Sequence, residues 1–224
     1  MKNFISHKAR TGLLFLIFGL LAQSGWGQTT IGFLNFGTTG NGTTATTGNT
    51  GFDGLRVGSG GGGFSIQNAG TSIGTDAEIR GVAPTSASYN GIGVSSAIYG
   101  TAATTFTISF ELNLSGGASG IWSFFAGNGT SFATAQTAGF TSNQVFTGIQ
   151  WVFGASSAIT TNNRAAGAWA VISGTPFAQS TNYYVTIVGN NSASTVNYGA
   201  SSAYSVATGK YDLWVNGVLA GDDL

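Results

Sequence analysis

The chain has 224 residues, of which 42% are hydrophobic and only 6% are charged, with a formal net charge of zero. This apolar content argues against general disorder. A neutral chain also lacks the basic surface that nucleic acids and anionic membranes require. Glu and Lys are scarce, whereas Gly, Thr and aromatic residues are plentiful, which favours strands over long helices.

Residues 1–27 have the layout of a secretory signal peptide. Three basic residues begin the segment, a short apolar run continues to Leu21, and small residues lead to Gly27. The run is shorter than the roughly 20 apolar residues that span a bilayer, which disfavours the alternative of a retained anchor. We expect cleavage after Gly27, or else after Ser24, and a secreted or cell-surface protein with no membrane segment after cleavage.

Cleavage would remove most of the reactive side chains. The single His, His7, lies in the signal, and the chain has no Cys. The mature chain therefore lacks a Ser-His-Asp triad, a Cys nucleophile and any zinc, copper or iron site bound through His or thiolate. We expect no cofactor and no metal. Four basic residues would face seven acidic ones, a net charge of −3.

Short segments with strand patterns follow one another along the mature chain. Residues 31–36 form the first predicted strand, and the Gly/Thr-rich residues 38–51 predict a flexible loop. The further predicted strands are residues 55–57, 64–67, 78–82, 91–94, 105–114, 121–126, 144–153, 168–172, 183–189 and 211–215. Among these, TFTISFELNL at 105–114 alternates strictly, which is typical of a strand with one buried face. Asn216-Gly217 predicts a tight turn after the last strand.

The absence of a helical period or a proline-rich linker indicates one domain, residues 28–224. We predict an all-β protein, an antiparallel two-sheet β-sandwich. Residues 58–63 carry the glycine spacing of a dinucleotide-binding fingerprint, but that motif needs a helix to follow. A strand pattern follows instead, so we interpret these glycines as a turn.

Three stretches, FTISFELNL at 106–114, IWSFFAGNG at 121–129 and YDLWVNGVL at 211–219, resemble the concanavalin A-like, laminin-G-like jelly rolls of bacterial secreted proteins. LRVGSGGGGFSIQ, at 55–67, is similar to a version at the front of surface proteins exported by type IX secretion. The resemblance implies a jelly-roll sandwich that binds carbohydrate or other surface partners, without catalysis. That family continues past its late hairpin, so we expect a fragment that lacks its last strands and continues into downstream domains. The alternative is a short chain whose strand at 31–36 covers the open sheet edge.

The outward alternates of four predicted strands suggest a ligand site. They display Glu111, Gln150, Tyr184 and Trp214, which would line one outward face if these strands share a sheet. Aromatic rings stack on sugars while Glu and Gln bind hydroxyls, so a polysaccharide or surface glycan is the predicted partner. The alternative is that a loop or neighbouring domain covers Trp214.

We therefore predict a non-catalytic module that binds carbohydrate or mediates adhesion. One alternative is a structural spacer of a larger surface protein. Another is a polysaccharide hydrolase or lyase, which would need two carboxylates about 5–9.5 Å apart. No strand places alternating acids as some sandwich-fold glucanases do. Only Asp76 and Glu78 alternate, and they lie in a segment whose strand pattern is weak.

An acidic pair and two tryptophans have interpretations that do not require a ligand. Asp222 and Asp223 could contribute to a calcium site, but solvated acids near a chain end explain them as well. Trp122 and Trp169 lie on strands whose facing the sequence does not decide, and we assign both to the core.

Overall fold

A computed structural model describes residues 43–45, 52, 54–57, 60–85, 90–93, 103–127, 145–165 and 167–224. The predicted signal peptide and the predicted strand at 31–36 lie outside these ranges. Within them the regular structure is β-strand, apart from two short 3-10 turns, and each strand pair is antiparallel. The predicted all-β class is confirmed. None of the described residues forms a helix long and apolar enough to cross a membrane.

The described strands are, in chain order, β1 (Thr43–Thr44), β2 (Gly54–Arg56), β3 (Gly63–Gln67), β4 (Glu78–Val82), β5 (Gly91–Gly93), β6 (Thr105–Asn113), β7 (Ile121–Gly127), β8 (Val145–Phe153), β9 (Ile159–Ala165), β10 (Ala168–Val171), β11 (Asn182–Asn190), β12 (Val196–Tyr198), β13 (Tyr204–Val206), β14 (Lys210–Val215) and β15 (Val218–Gly221). Two four-stranded sheets dominate. Sheet I has the order β15-β14-β11-β6, and sheet II has the order β10-β9-β8-β7. A three-stranded sheet, β1-β3-β4, and the pairs β2-β5 and β12-β13 complete the described strands.

Sheets I and II share one apolar core in a sandwich-like arrangement. Alternation along each strand turns its more apolar side inward. The buried members of this core are Leu114, Ile149, Trp151, Phe153, Ile159, Ile172, Phe177, Val185, Ile187, Tyr211, Leu213 and Val215. Each fully buried aliphatic side chain among them contributes roughly 1.5–3 kcal/mol to folding.

Several contacts join the sheets across this core. The Phe110 ring on β6 stacks on Phe124 of β7, with centroids 5.2 Å apart. The Tyr211 hydroxyl on β14 donates to the Gly148 carbonyl of β8 at 2.9 Å. Burial raises the pKa of Tyr211, so this hydroxyl remains a donor throughout the physiological pH range.

Some strands were not predicted, because their side chains carry no apolar alternation. β9 reads ITTNNRA, and its strand geometry comes from pairing with β8 on one side and β10 on the other. β12 and β13 have only three residues each. The flexible loop predicted for 38–51 is wrong at Thr43–Thr44, which pairs with β3, and at Ala45, which is 1% exposed. The rest of that loop lies outside the described residues.

The predicted turn between β14 and β15 is confirmed. Asn216 and Gly217 both have positive φ, 50° and 76°, the backbone that a tight hairpin between twisted strands requires. Asn216 also accepts a hydrogen bond from the Tyr184 N–H through Oδ1 at 2.8 Å and donates its own N–H to the Tyr184 carbonyl at 2.8 Å. The turn thereby fixes the backbone of β11 at Tyr184.

Candidate functional site

A cleft of about 230 Å³ opens on the outer face of sheet I. Its lining residues are Ile73, Gly74, Glu111, Asn182, Tyr183 and Tyr184. Two of the predicted site residues, Glu111 and Tyr184, therefore line one cavity. They meet because they are directly opposite each other in the register of β6 and β11. Pockets for drug-sized ligands are larger, about 300–1,000 Å³, so this cleft suits a single ring or a chain end.

The loop between β3 and β4 forms the opposite wall of the cleft. The Glu78 carboxylate shapes this loop by accepting the N–H groups of Ser72 at 3.1 Å and Ile73 at 2.7 Å. Asn182 on β11 holds the loop against sheet I, because its Nδ2 donates to the Ser72 carbonyl at 2.8 Å. Glu78 is only 8% exposed and is therefore occupied in holding the loop.

Gly74 allows this wall to approach Glu111. Its φ is +63°, and a Cβ at this position would lie 2.5 Å from Glu111 Oε2. A larger residue would therefore be strained and would displace the carboxylate. No periodic pattern marks the loop, so the approach of Gly74 and Ile73 to the site could not be predicted from the sequence.

The cleft combines an exposed ring with hydrogen-bonding groups. Tyr184 is 52% exposed, and Glu111 is exposed beside it. The amide of Asn182 is already paired, since its Oδ1 accepts Asn113 Nδ2 at 2.6 Å. Further along the same face, Ser109 Oγ and Thr186 Oγ1 lie 3.1 Å apart. Chemically, this surface can stack against a ring with Tyr184 and accept hydrogen bonds from hydroxyls with Glu111.

Comparison with protein-family models, with curated proteins and with solved structures finds no match. The resemblance of three stretches to concanavalin A-like domains therefore stays an expectation.

Trp214 does not share the cleft, because the hairpin of β12 and β13 covers it. The Tyr204 ring packs edge-on against Trp214 with centroids 4.5 Å apart. Trp214 Nε1 donates to the Tyr198 hydroxyl at 2.8 Å, and that hydroxyl donates to Asp212 Oδ2 at 2.5 Å. The prediction of an open Trp214 is therefore corrected: Trp214 is outward-facing and partly buried, and its cover comes from the same chain.

Asp212, on the same outward face of β14 as Trp214, is fully buried beneath this hairpin. Burial raises the pKa of the Asp212 carboxyl, and the negative charges of Asp222 and Asp223 raise it further. Hydrogen bonds from Tyr198 and from the Asp223 N–H, at 2.8 Å, act in the opposite direction. Burial and the bond to Asp212 likewise raise the pKa of Tyr198. These groups form a closed network that anchors the hairpin to sheet I.

Of the two possible calcium ligands near Leu224, Asp223 is hydrogen-bonded within this network. Asp223 Oδ1 accepts the Ala207 N–H at 2.7 Å, while the Asp223 N–H donates to Asp212. Within the described residues no group of three or more His, Asp or Glu side chains is arranged to hold a metal ion.

Gln150 lies on β8 and therefore belongs to sheet II. Its Oε1 accepts Asn162 Nδ2 from β9 at 3.1 Å. The predicted face of four residues is thus wrong in its membership, since alternation reveals which way a side chain points but not which sheet carries the strand. The assignment of Trp169 to the core also fails: it lies opposite Arg164, on the face away from the core, whereas Trp122 does pack against the core.

Proposed function

We propose that this protein is a secreted or surface module, non-catalytic and of the concanavalin A-like jelly-roll type, that binds carbohydrate or mediates adhesion. The single observation that carries the proposal is the pairing of Glu111 with the exposed Tyr184 in one cleft. A polysaccharide or surface glycan is the proposed ligand, and export through the signal peptide would place the module where such ligands occur.

Binding follows from the chemistry of this pair. The Tyr184 ring offers a flat apolar surface to the C–H face of a sugar, with its hydroxyl at the edge. The Glu111 carboxylate accepts hydrogen bonds from sugar hydroxyls, and bonds to a charged group are stronger than neutral ones. The backbone at Tyr184 is held by Asn216, so little conformational freedom is lost on binding.

The cleft favours binding over hydrolysis. Its lining contains one carboxylate, Glu111, whereas glycoside hydrolysis generally needs two facing the same bond. The second candidate function is a structural spacer, which the covered Trp214 and the small size of the cleft favour. A spacer would present distant modules and bind no glycan at all.

A glycan array followed by calorimetry tests the proposal. We expect the purified protein to retain a subset of glycans and Tyr184→Ala to weaken that binding on the order of tenfold, through loss of the ring contact. Glu111→Gln should weaken it roughly tenfold or more, because a charge-assisted bond is lost. Tyr184→Phe, which keeps the ring, should lose less.

Asp222→Asn is the matched control for charge, since Asp222 is an exposed carboxylate outside the cleft. Its binding should equal that of the unmodified protein. Retention of no glycan on the array would favour the spacer. Binding that survives both Tyr184→Ala and Glu111→Gln would exclude the cleft as the site.

A further inference from the structure

A row of side chains crosses all four strands of sheet II on its outer face. Trp169 of β10 is opposite Arg164 of β9, and Phe125 of β7 is opposite Gly148 of β8. Gly148 provides the space between them, because a Cβ there would lie 2.7 Å from Arg164 Cβ and 3.4 Å from Phe125 Cδ1. The row therefore forms a compact cluster of two rings and one guanidinium.

The rings and the cation are in contact. The Phe125 and Trp169 centroids are 5.9 Å apart, and Arg164 Cζ lies 5.7 Å from the Trp169 centroid. The second distance is within the range of a cation–π interaction, which holds the guanidinium over the indole face.

Arg164 is not neutralised by the described part of the chain. No described carboxylate forms an ion pair with it, and its Nε is buried without a hydrogen-bond partner. An unsatisfied, partly desolvated donor on a charged group is unfavourable. A guanidinium presents five N–H donors in a planar fork that matches a carboxylate. The buried Nε is out of reach of a ligand, but an anionic ligand would pair with the remaining N–H groups of the guanidinium.

A polar row lies beside this cluster. Ser123, Gln150, Asn162 and Val171 occupy the next register positions on the same four strands. Asn162, which is only 9% exposed, donates one amide hydrogen to Gln150 Oε1, which leaves the Gln150 amide N–H groups for other partners. These groups can donate to sugar hydroxyls.

We propose that the outer face of sheet II binds a carboxylate-bearing sugar unit of an acidic polysaccharide. Arg164 holds the carboxylate in a forked pair, Trp169 contacts the ring face, and Gln150 binds hydroxyls. The site is separate from the cleft on sheet I, where the negative charge of Glu111 would repel such a ligand. The proposal therefore stands or falls independently of glycan binding in the cleft.

Calorimetry and affinity electrophoresis with four polymers test the proposal on the unmodified protein. Polygalacturonate supplies a uronate, and its methyl ester keeps the ring but removes the charge. Polysialic acid supplies the same carboxylate chemistry from a different sugar, and polyglutamate supplies carboxylates without sugar rings. We expect binding to polygalacturonate or polysialic acid that is at least tenfold tighter than to the methyl ester or polyglutamate.

The relative affinity of the protein for polygalacturonate and polysialic acid identifies which sugar the site prefers, and either preference supports the proposal. Equal binding of polygalacturonate and its methyl ester overturns the role of the carboxylate. Equal binding of polyglutamate overturns recognition of a sugar, and binding to none of the polymers overturns the site. These comparisons need no variant and so do not depend on whether a substituted protein folds.

Variants then locate the contact. Arg164→Gln should weaken binding roughly tenfold or more, and Arg164→Lys should recover only part of it, since a point charge lacks the fork. Arg80→Gln is the matched control, because Arg80 is an exposed arginine on the three-stranded sheet. A loss of binding in Arg80→Gln equal to that in Arg164→Gln would show general charge attraction and overturn the site. Unchanged binding in Arg164→Gln would do the same.

Discussion

The outer faces of sheets I and II differ in charge, and part of the face of sheet I is covered by the β12–β13 hairpin. The sheets nevertheless have four strands each and share one core. The face of sheet I carries acids: Glu111 is exposed in the cleft, and Asp212 is sealed beneath the β12–β13 hairpin. The face of sheet II carries Arg164 over the ring of Trp169, which also contacts Phe125. Packing constrains only the inward alternate of each strand, so the outward alternates are free to take different chemistry.

The hairpin shows what decides whether an outward face is available to a ligand. On β14 the outward Trp214 has its indole N–H bound to Tyr198 and its ring against Tyr204. Two strands away, Glu111 on β6 lies beyond the hairpin and faces the cleft. On one sheet, therefore, the same outward orientation gives a packing residue at one position and a cleft residue at another.

The greatest loss of stability should come from a substitution in the core that the two sheets share. Leu213 is fully buried in the core common to both sheets. Leu213→Ala should lower the free energy of unfolding by about 2–5 kcal/mol, the transfer and cavity cost of such a truncation. Urea denaturation followed by tryptophan fluorescence measures this loss.

Because one core serves both faces, far-UV circular dichroism and tryptophan fluorescence should report the same urea midpoint in this variant. Val218→Ala is the control, since Val218 is 68% exposed, and its free energy should stay within about 0.5 kcal/mol of the unmodified protein. Two separate transitions would contradict a shared core.

A smaller effect concerns the buried acid that only sheet I carries. The folded-state pKa of Asp212 is raised above its ordinary value of 3.8, chiefly by burial and also by Asp222 and Asp223. The folded protein then binds this proton more tightly than the unfolded chain does. Its contribution to stability is therefore fully present below pH 3.8 and is lost as pH rises through the folded-state pKa.

Asp212→Asn removes this titration while keeping an acceptor for the Asp223 N–H. We expect the stability of the unmodified protein relative to this variant to fall as pH rises from 3.8, measured by urea denaturation at each pH. NMR titration of the Asp212 side-chain carboxyl carbon should show the raised pKa directly. If the difference in stability between the two proteins does not vary with pH, the raised pKa of the buried Asp212 carboxyl would be contradicted.

The fold could be predicted where the sequence alternates, and the site only in part. Residues 105–114 place Phe106 inward and Glu111 outward, and the structure agrees. The strand β9 was missed because Thr, Asn and Arg carry no hydrophobic period, and that omission left Arg164, the neighbour of Trp169, outside any predicted strand. Strand periodicity is a local property, whereas the sheet to which a strand belongs is set by long-range pairing.

The same limit explains the division of the predicted site. Glu111 and Tyr184 face each other because β6 and β11 pair. Gln150 lies on β8, which belongs to sheet II. The cover over Trp214 comes from β12 and β13, whose three-residue strands gave too short a pattern to recognise. Neither pairing partners nor covering hairpins are encoded in the alternation of a single strand.

A more modest change should result from a substitution that alters the outer face of sheet I and leaves that of sheet II intact. Gly74 and Gly70 lie in the same loop with similar backbones, φ +63° and +68°, but only Gly74 approaches Glu111. A Cβ on Gly70 would have its nearest neighbour at 3.9 Å, whereas a Cβ on Gly74 would lie 2.5 Å from Glu111 Oε2. Substitution by Ala at either position should cost roughly 1–2 kcal/mol of stability, the strain of a left-handed non-glycine residue.

Only Gly74→Ala should then weaken glycan binding in the cleft, because only there must the Glu111 carboxylate move. Binding of acidic polysaccharide on sheet II should be unchanged in both variants. Calorimetry with a glycan that the unmodified protein retains, alongside thermal unfolding, separates strain from displacement of the carboxylate. Equal loss of glycan binding in Gly70→Ala and Gly74→Ala would attribute the effect to the loop as a whole and remove the role assigned to the contact between Gly74 and Glu111.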